Sequence, residues 1–138
     1  MKAIGIQIKG AEAIVVVLDK DINGNIFQTN ESSKFKIDDA SINNQVKQFR
    51  DQINTTFDSV SAKRIGIVAR NAKGKGDRAP SPISFKLEGI IQLYDKLDIE
   101  FVWPQTTTAY YKKNVVTIKP KHVYQSDAFD VAYYLICQ

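Results

Sequence analysis

The chain has 138 residues, 43% hydrophobic and 25% charged, which predicts one globular domain, residues 1–138, with a buried core. Its net charge is +4, and no apolar run approaches the ~20 residues of a membrane helix, which excludes functions inside a membrane. A single cysteine, Cys137, and a single histidine, His122, cannot supply the usual tetrahedral zinc ligands, and the lack of an intramolecular disulfide fits a cytoplasmic location.

The first part of the chain predicts a β-meander. Residues 2–8 are strand-like and residues 13–18 form a continuous β-branched run, with a tight turn at Gly10, so the two segments predict an antiparallel hairpin. The Asn23-Gly24 pair is a strong signal for a second hairpin turn. A third strand is therefore expected between residues 26 and 37, where the polar segment TNESS leaves its extent open.

Helices and strands alternate after residue 39. A helix is predicted first, and its apolar stripe consists of Ile42, Val46, Phe49, Ile53 and Phe57. Residues 64–94 predict a strand, a Gly- and Lys-rich loop, and a helix that begins at Ser81-Pro82. A strand over residues 97–103 follows, with Phe101 and Trp103 in its alternating apolar set, then a short helix after Pro104 and a last helix over residues 123–137.

The resulting order, β-β-β-α-β-α-β-α-α, is that of the RNase H-like α/β fold. We expect a mixed five-stranded sheet, with a three-stranded antiparallel meander and two parallel strands. Helices should cover both faces of this sheet. A fold alone does not define a function, so the chemistry has to be argued from particular residues.

Two clusters of basic residues stand out. One lies in and around the loop of the central strand-loop-helix unit, and the other lies between residues 112 and 121 with no acidic residue inside it. Basic side chains near glycine-rich backbone suit phosphate groups, because each neutralised phosphate releases counterions. The alternative is a solvated loop. The predicted nucleic-acid contacts are Arg70, Lys73, Lys75, Arg78, Lys112 and Lys113.

Several stretches carry a resemblance to known families. IGIQIKGAEAIVVVLD resembles the opening hairpin of RNase H-like nucleases, especially the Holliday-junction resolvases. SFKLEGIIQL resembles the helix after their fourth strand, and SDAFDVAYYL resembles their final helix. The chain length and the stretches RNAKGK and FKLEGIIQLYDKLDIE are similar to a small bacterial family, domain of unknown function 3010, which implies no established activity.

The resemblance implies where a resolvase-type site would lie. That mechanism uses carboxylates from three places to hold two Mg²⁺ ions. The first place is Gln7 and the second is Ala69, neither of which is an acid, and Arg70 would add a positive charge beside the second. Only the third place keeps acids, Asp127 and Asp130. We therefore expect no cofactor, with Mg²⁺ relevant only to a residual nuclease activity.

Three functions are consistent with these residues. The first is a catalytically degenerate, non-enzymatic RNase H-like protein that contacts nucleic acid through its basic loop. The second is an immunity or inhibitor protein that neutralises a toxin or an enzyme, with aromatic anchors drawn from Tyr110, Tyr111, Tyr124, Tyr133 and Tyr134. The third is a weak metal-dependent nuclease that uses Asp127 and Asp130.

Overall fold

The computed structural model describes residues 1–71 and 80–138. Its strands are β1 (Lys2–Lys9), β2 (Glu12–Lys20), β3 (Ile26–Gln28), β4 (Ser33–Lys36), β5 (Arg64–Val68) and β6 (Ile99–Val102). Its helices are α1 (Asn43–Val60), α2 (Pro82–Gln92), α3 (Pro104–Lys113) and α4 (Ser126–Ile136), the last preceded by a 3₁₀ turn, Val123–Gln125. The order of strands and helices follows the prediction, except that the third strand is divided in two.

The strands of the described residues form one mixed sheet in the order β3-β2-β1-β5-β6, with β4 also paired to β2. β1 is antiparallel to β2 and parallel to β5, and β5 is parallel to β6. β3 pairs with the end of β2 and β4 with its start. Between them, the Ser32 hydroxyl accepts a hydrogen bond of 3.1 Å from the backbone N–H of Val17, so a side chain replaces a strand partner there. The expected five strands thus become six.

Alternating side chains of the sheet bury two separate apolar layers. Ile4, Ile6, Val15 and Ile67 face one layer, which α1 and α2 cover with large residues such as Phe49. Ala3, Ile14, Val16 and Leu18 face the other layer, which α4 covers. Val16 is 0% exposed and Phe49 is 1% exposed, as their places in the predicted strand and helix require.

Helix α4 lies unusually close to the sheet because two glycines face it. Gly5 on β1 and Gly66 on β5 are paired across the two strands. A Cβ atom added at Gly5 would overlap the Ala128 carbonyl and lie 2.6 Å from the backbone nitrogen of Ala132. At Gly66 it would lie 2.7 Å from the Leu135 side chain. The absence of side chains at these two positions therefore allows α4 to pack directly against the backbone of β1 and β5.

Strand β6 pairs only with β5 among the described residues, and it is less buried than its alternation suggests. Val102 faces α4 and is buried, whereas Phe101 and Trp103 are 43% and 48% exposed.

In the described part of the chain, no helix has the length and apolar character needed to cross a membrane.

Candidate functional site

The candidate site lies where β1 meets the N-terminal turn of α4. Gln7 follows Gly5 on the face of β1 that α4 covers, since side chains alternate along a strand. Its amide nitrogen donates a hydrogen bond of 2.9 Å to Asp127 Oδ2. Asp127 lies in the first turn of α4, where the helix macrodipole favours a negative charge. The structure thus brings the predicted residues Gln7 and Asp127 together.

Asp130 lies one helical turn after Asp127 and is held by α3. The Tyr111 hydroxyl donates a hydrogen bond of 2.6 Å to Asp130 Oδ1. Burial raises the pKa of Asp130, and the nearby charge of Asp127 raises it further, while the Tyr111 hydrogen bond opposes both effects. Burial also raises the pKa of Tyr111, so this residue remains a proton donor at neutral pH. No sequence signal had indicated Tyr111 as the partner of Asp130.

A small cavity of about 80 Å³ connects these acids with β5 and β6. Its walls are formed by Val68, Val102, Pro104, Thr107, Asp127, Asp130 and Val131. Ala69, at the end of β5, is 3% exposed, and its backbone N–H donates a hydrogen bond of 2.9 Å to the Val102 carbonyl. Its methyl group offers no ligand atom, so the two carboxylates of α4 are the acidic groups of this cavity.

These residues do not fit a two-metal centre. Mg²⁺ requires several oxygen ligands in near-octahedral geometry. Within residues 1–71 and 80–138, no group of three or more His, Cys, Asp or Glu side chains could hold a metal ion. Gln7 also directs an N–H group toward Asp127, although a metal ligand would have to present an oxygen.

Arg70 is tied to helix α2. Its guanidinium donates hydrogen bonds of 2.7 Å to Ser84 Oγ and 2.9 Å to Glu88 Oε2. It also lies over the ring of Phe85, 4.5 Å from the ring centroid. The Arg70 and Glu88 side chains are only 14% and 13% exposed. Glu88 therefore neutralises the positive charge of Arg70, which directly follows Ala69 at the second acid position. A contact between Arg70 and a phosphate group stays a prediction.

The other predicted nucleic-acid contacts fall into two groups. Lys73, Lys75 and Arg78 lie outside the described residues. Lys112 and Lys113 are exposed in the last turn of α3, immediately after Tyr111. Because Tyr111 bonds to Asp130, these two lysines extend from a helix that is fixed to the candidate site.

Four of the five tyrosines considered as anchors for a protein partner are buried or partly buried: Tyr110, Tyr111, Tyr133 and Tyr134. Tyr133 is 3% exposed and lies edge-on to Tyr111, with ring centroids 6.2 Å apart. Tyr110 and Tyr134 form a second edge-on pair at 5.6 Å. Tyr124 differs from these four, because 44% of it is exposed.

The segment that leads into α4 is anchored by a buried glutamine pair that sequence reasoning missed. Gln28 Nε2 donates a hydrogen bond of 3.0 Å to Gln125 Oε1, and both residues are nearly inaccessible. Gln28 Oε1 accepts a hydrogen bond of 2.9 Å from the backbone N–H of Lys121. A glutamine in a short strand carries no signal for such a pairing, since its partner lies almost a hundred residues away in the chain.

Comparison with solved structures identifies the class of fold. Thermus thermophilus RuvC superposes with a TM-score of 0.72 and 9% identity, covering 96% of this chain and 91% of that chain. T. thermophilus RuvC in complex with Holliday junction substrate gives a TM-score of 0.70, 9% identity and coverage of 96% and 90%. The yeast mitochondrial Holliday junction resolvase Ydc2 gives 0.51 and 10% identity, over 79% of this chain and 55% of that chain. The protein therefore has the expected RNase H-like fold.

The family assignment follows from the sequence itself. Residues 1–135 match the family described as "Protein of unknown function (DUF3010)", so the chain belongs to that family, as its resemblance implied. A comparison with curated proteins gave no match.

Proposed function

We propose that this protein is a non-catalytic RNase H-like protein that binds nucleic acid. The observation that carries the first half of this proposal is the hydrogen bond from Gln7 to Asp127. The resemblance to Holliday-junction resolvases assigns the first metal-binding acid to position 7. There the chain has an amide, and its N–H group is bonded to one of the two remaining acids.

The bond between Gln7 and Asp127 works against cation binding. Hydrogen bonds to charged groups contribute about 1.5–3 kcal/mol, and an exposed pair such as this one lies toward the lower value. An incoming cation would have to replace this bond at Asp127 Oδ2 without gaining an oxygen ligand from position 69. Two carboxylates are too few to hold a pair of Mg²⁺ ions, and a single ion bound there would keep water as most of its ligands.

Binding of nucleic acid is supported by fold and charge together. The similar T. thermophilus RuvC has been solved with a Holliday junction substrate. The present chain has a net charge of +4, and Lys112 and Lys113 are exposed on α3, the helix whose Tyr111 bonds to Asp130. Phosphate groups neutralised by such lysines would release counterions, which gives sequence-independent affinity.

A cleavage assay tests the non-catalytic half. The purified protein should leave single-stranded, duplex and branched DNA and RNA intact in the presence of Mg²⁺ or Mn²⁺. Turnover that disappears in Asp130→Asn would contradict the proposal, because it would show that the remaining acids still support hydrolysis.

A salt titration tests the binding half. The double variant Lys112→Ala/Lys113→Ala should bind DNA more weakly on any sequence, and each lost contact should reduce the slope of log affinity against log salt by about 0.7 to 0.9. The matched control is Lys47→Ala/Lys63→Ala, which removes the same charge from exposed positions on and beside α1. The proposal fails if the parent protein binds neither DNA nor RNA at low salt.

A protein partner is the second candidate function. It is favoured by the exposure of Phe101 on β6 and of Trp103 directly after it. Large aromatic residues are frequent anchors of protein interfaces. This candidate predicts a complex with a toxin or enzyme encoded beside this protein, and Phe101→Ala/Trp103→Ala should weaken it. If the double variant keeps the parent's affinity for that toxin or enzyme, the edge strand is not the interface.

A further inference from the structure

An exposed aromatic stack lies beside the candidate site. The rings of His122 and Tyr124 are parallel within 8°, with centroids 5.5 Å apart. The ammonium group of Lys34 lies 4.2 Å from the centroid of the Tyr124 ring. Lys121 precedes the stack in the chain. We call Lys34, Lys121, His122 and Tyr124 the stack surface.

Gln7 of the candidate site and Lys34 of the stack surface belong to one row of directly paired residues across the sheet. Gln7 on β1 is directly opposite Ile14 on β2, and Ile14 is directly opposite Lys34 on β4. Directly paired residues share a face of the sheet, so Gln7 and Lys34 both face the α4 side. The chain entering α4 crosses this row, with Tyr124 over Lys34 and Asp127 bonded to Gln7.

The stack is not required to bury the core. The buried Gln28–Gln125 pair already attaches the segment that contains His122 and Tyr124 to β3, and Gln28 also accepts a hydrogen bond from the backbone N–H of Lys121. Tyr124 remains 44% exposed above that anchor, and His122 is exposed as well. Exposed rings on a backbone that buried hydrogen bonds hold in place form a preorganised binding surface, because little conformational entropy is lost when a ligand stacks on them.

The charges around the stack suit an anionic ligand. The Lys121 ammonium donates hydrogen bonds to Asn30 Oδ1 and the Thr29 carbonyl, which are both neutral. Lys34 has Glu12 at 3.8 Å, but this pair is exposed and long, so the ion pair is weak. Lys34 therefore lies against the Tyr124 ring, and Lys121 directly precedes His122 in the chain. Basic side chains with exposed aromatic rings are the combination that binds single strands through neutralised phosphates and stacked bases.

We infer that the stack surface binds unpaired nucleotides, so that the protein prefers single-stranded DNA or RNA to a duplex. This inference rests on the proposed nucleic-acid-binding function and names the form of its ligand. Bases inside a duplex are already stacked on one another and cannot extend the His122–Tyr124 stack. Because every base has a π-face, the surface should show little sequence preference.

The test measures the affinity of labelled oligothymidine and oligouridine of about 12 nucleotides, a length suited to one domain, against a duplex of equal length. The parent protein should bind the single strands more tightly. Tyr124→Ala and His122→Ala should each weaken single-strand binding roughly 5- to 160-fold, the usual effect of losing one stacked base, whereas Tyr124→Phe should stay within about twofold. Comparison of the affinities for oligothymidine and oligouridine shows whether the protein prefers single-stranded DNA or single-stranded RNA.

Phe27→Ala is the matched control. Phe27 is an aromatic residue with 47% exposure on β3, and its neighbour Gln28 faces α4, so Phe27 points to the opposite side of the sheet. Its loss should leave the affinity for single strands unchanged.

A second experiment needs no variant. An oligonucleotide that carries 5-iodouracil should photocrosslink to Tyr124 or His122 of the parent protein.

The outcomes separate the inference from the proposed function. If the parent binds but prefers the duplex, or if Tyr124→Ala and His122→Ala bind like the parent, the inference is overturned and the proposed function stands. If the parent binds no nucleic acid at low salt, the proposed function fails and the inference fails with it.

Discussion

Tyr111 on α3 and Asp130 on α4 are joined by a hydrogen bond of 2.6 Å, which fixes the two helices to each other at the candidate site. Asp130 is a partly buried acid whose pKa is raised, chiefly by burial. The folded protein therefore holds the Asp130 proton more firmly than the unfolded chain does. This difference in proton binding makes stability depend on pH.

The sign of this dependence leads to the first prediction. Below the ordinary pKa of 3.8, Asp130 is protonated in both states and has no effect. As pH rises through the raised pKa, the charged form becomes costly in the folded state, and stability falls. Asp130→Asn keeps the shape without the charge, so the free energy of unfolding of this variant relative to the parent should increase between pH 4 and pH 7. Urea denaturation across that range measures it.

Asp51→Asn, an exposed acid on α1, controls for the loss of one negative charge. A difference between Asp130→Asn and the parent that does not change with pH would contradict the prediction. It would show that the Tyr111 hydrogen bond offsets the burial of the carboxylate.

The second prediction concerns Gln7. Gln7→Asp would replace the hydrogen bond to Asp127 with a repulsive pair of carboxylates, so the variant should melt at a lower temperature than the parent at pH 7 with a chelator present. Added Mg²⁺ should raise its melting temperature more than that of the parent, because the new acid supplies an oxygen ligand. Gln7→Met, which loses the bond without adding charge, is the control. An equal response to Mg²⁺ in the parent and in Gln7→Asp would be evidence against our description of this site.

Much of the fold could be predicted because it depends on local patterns. The cap at Ser81 and the turns at Gly10 and Gly24 are encoded by neighbouring residues, and both glycines adopt positive φ angles, 61° and 84°. The predicted apolar stripe of α1 is buried at Phe49 and Ile53, whereas Ile42 precedes the helix and is 45% exposed. The division of the third strand could not be predicted, since it depends on a side-chain bond from Ser32 to a different strand. Exposure of Phe101 likewise follows from the position of β6 at the edge of the sheet that the described residues form, which alternation alone does not reveal.

The site was predictable in part. The resemblance indicated Gln7, Ala69, Asp127 and Asp130, and the structure brings Gln7 to Asp127 and both acids to one cavity. Tyr111 and Tyr124 were considered only as anchors for a protein partner. The bond from Tyr111 to Asp130 and the stack of Tyr124 on His122 could not be predicted, because no motif marks either contact. Arg70 was identified by its charge alone, whereas its nearest partners lie on α2.

The third prediction compares two glycines. Gly5→Ala should be strongly destabilising, because a Cβ there would collide with the backbone of α4 at Ala128 and Ala132, and backbone cannot move aside as a flexible side chain can. Gly89→Ala adds the same methyl group to α2, where nothing lies within 4 Å. That variant should be more stable than the parent by roughly 0.5–1 kcal/mol, since alanine favours a helix over glycine. Thermal and urea melts of both variants would check the contrast. A mild effect at Gly5 would mean that α4 sits farther from β1 than described.

The last prediction tests the packing on the other face of the sheet. Phe49 lies in the middle of α1 and is 1% exposed within the layer that also contains Ile6 and Ile67. Phe49→Ala should leave a cavity and reduce the free energy of unfolding by about 3–5 kcal/mol. A loss of that size is a large share of the ~5–15 kcal/mol expected for a domain of this size. Lys47→Ala lies on the exposed side of the same helix and should change the free energy by no more than about 0.5 kcal/mol. Urea denaturation of the two variants provides the comparison. Small and equal losses of free energy in the two variants would show that α1 does not pack on the sheet. The candidate site on the α4 side depends on the same sheet, so its description would then fail as well.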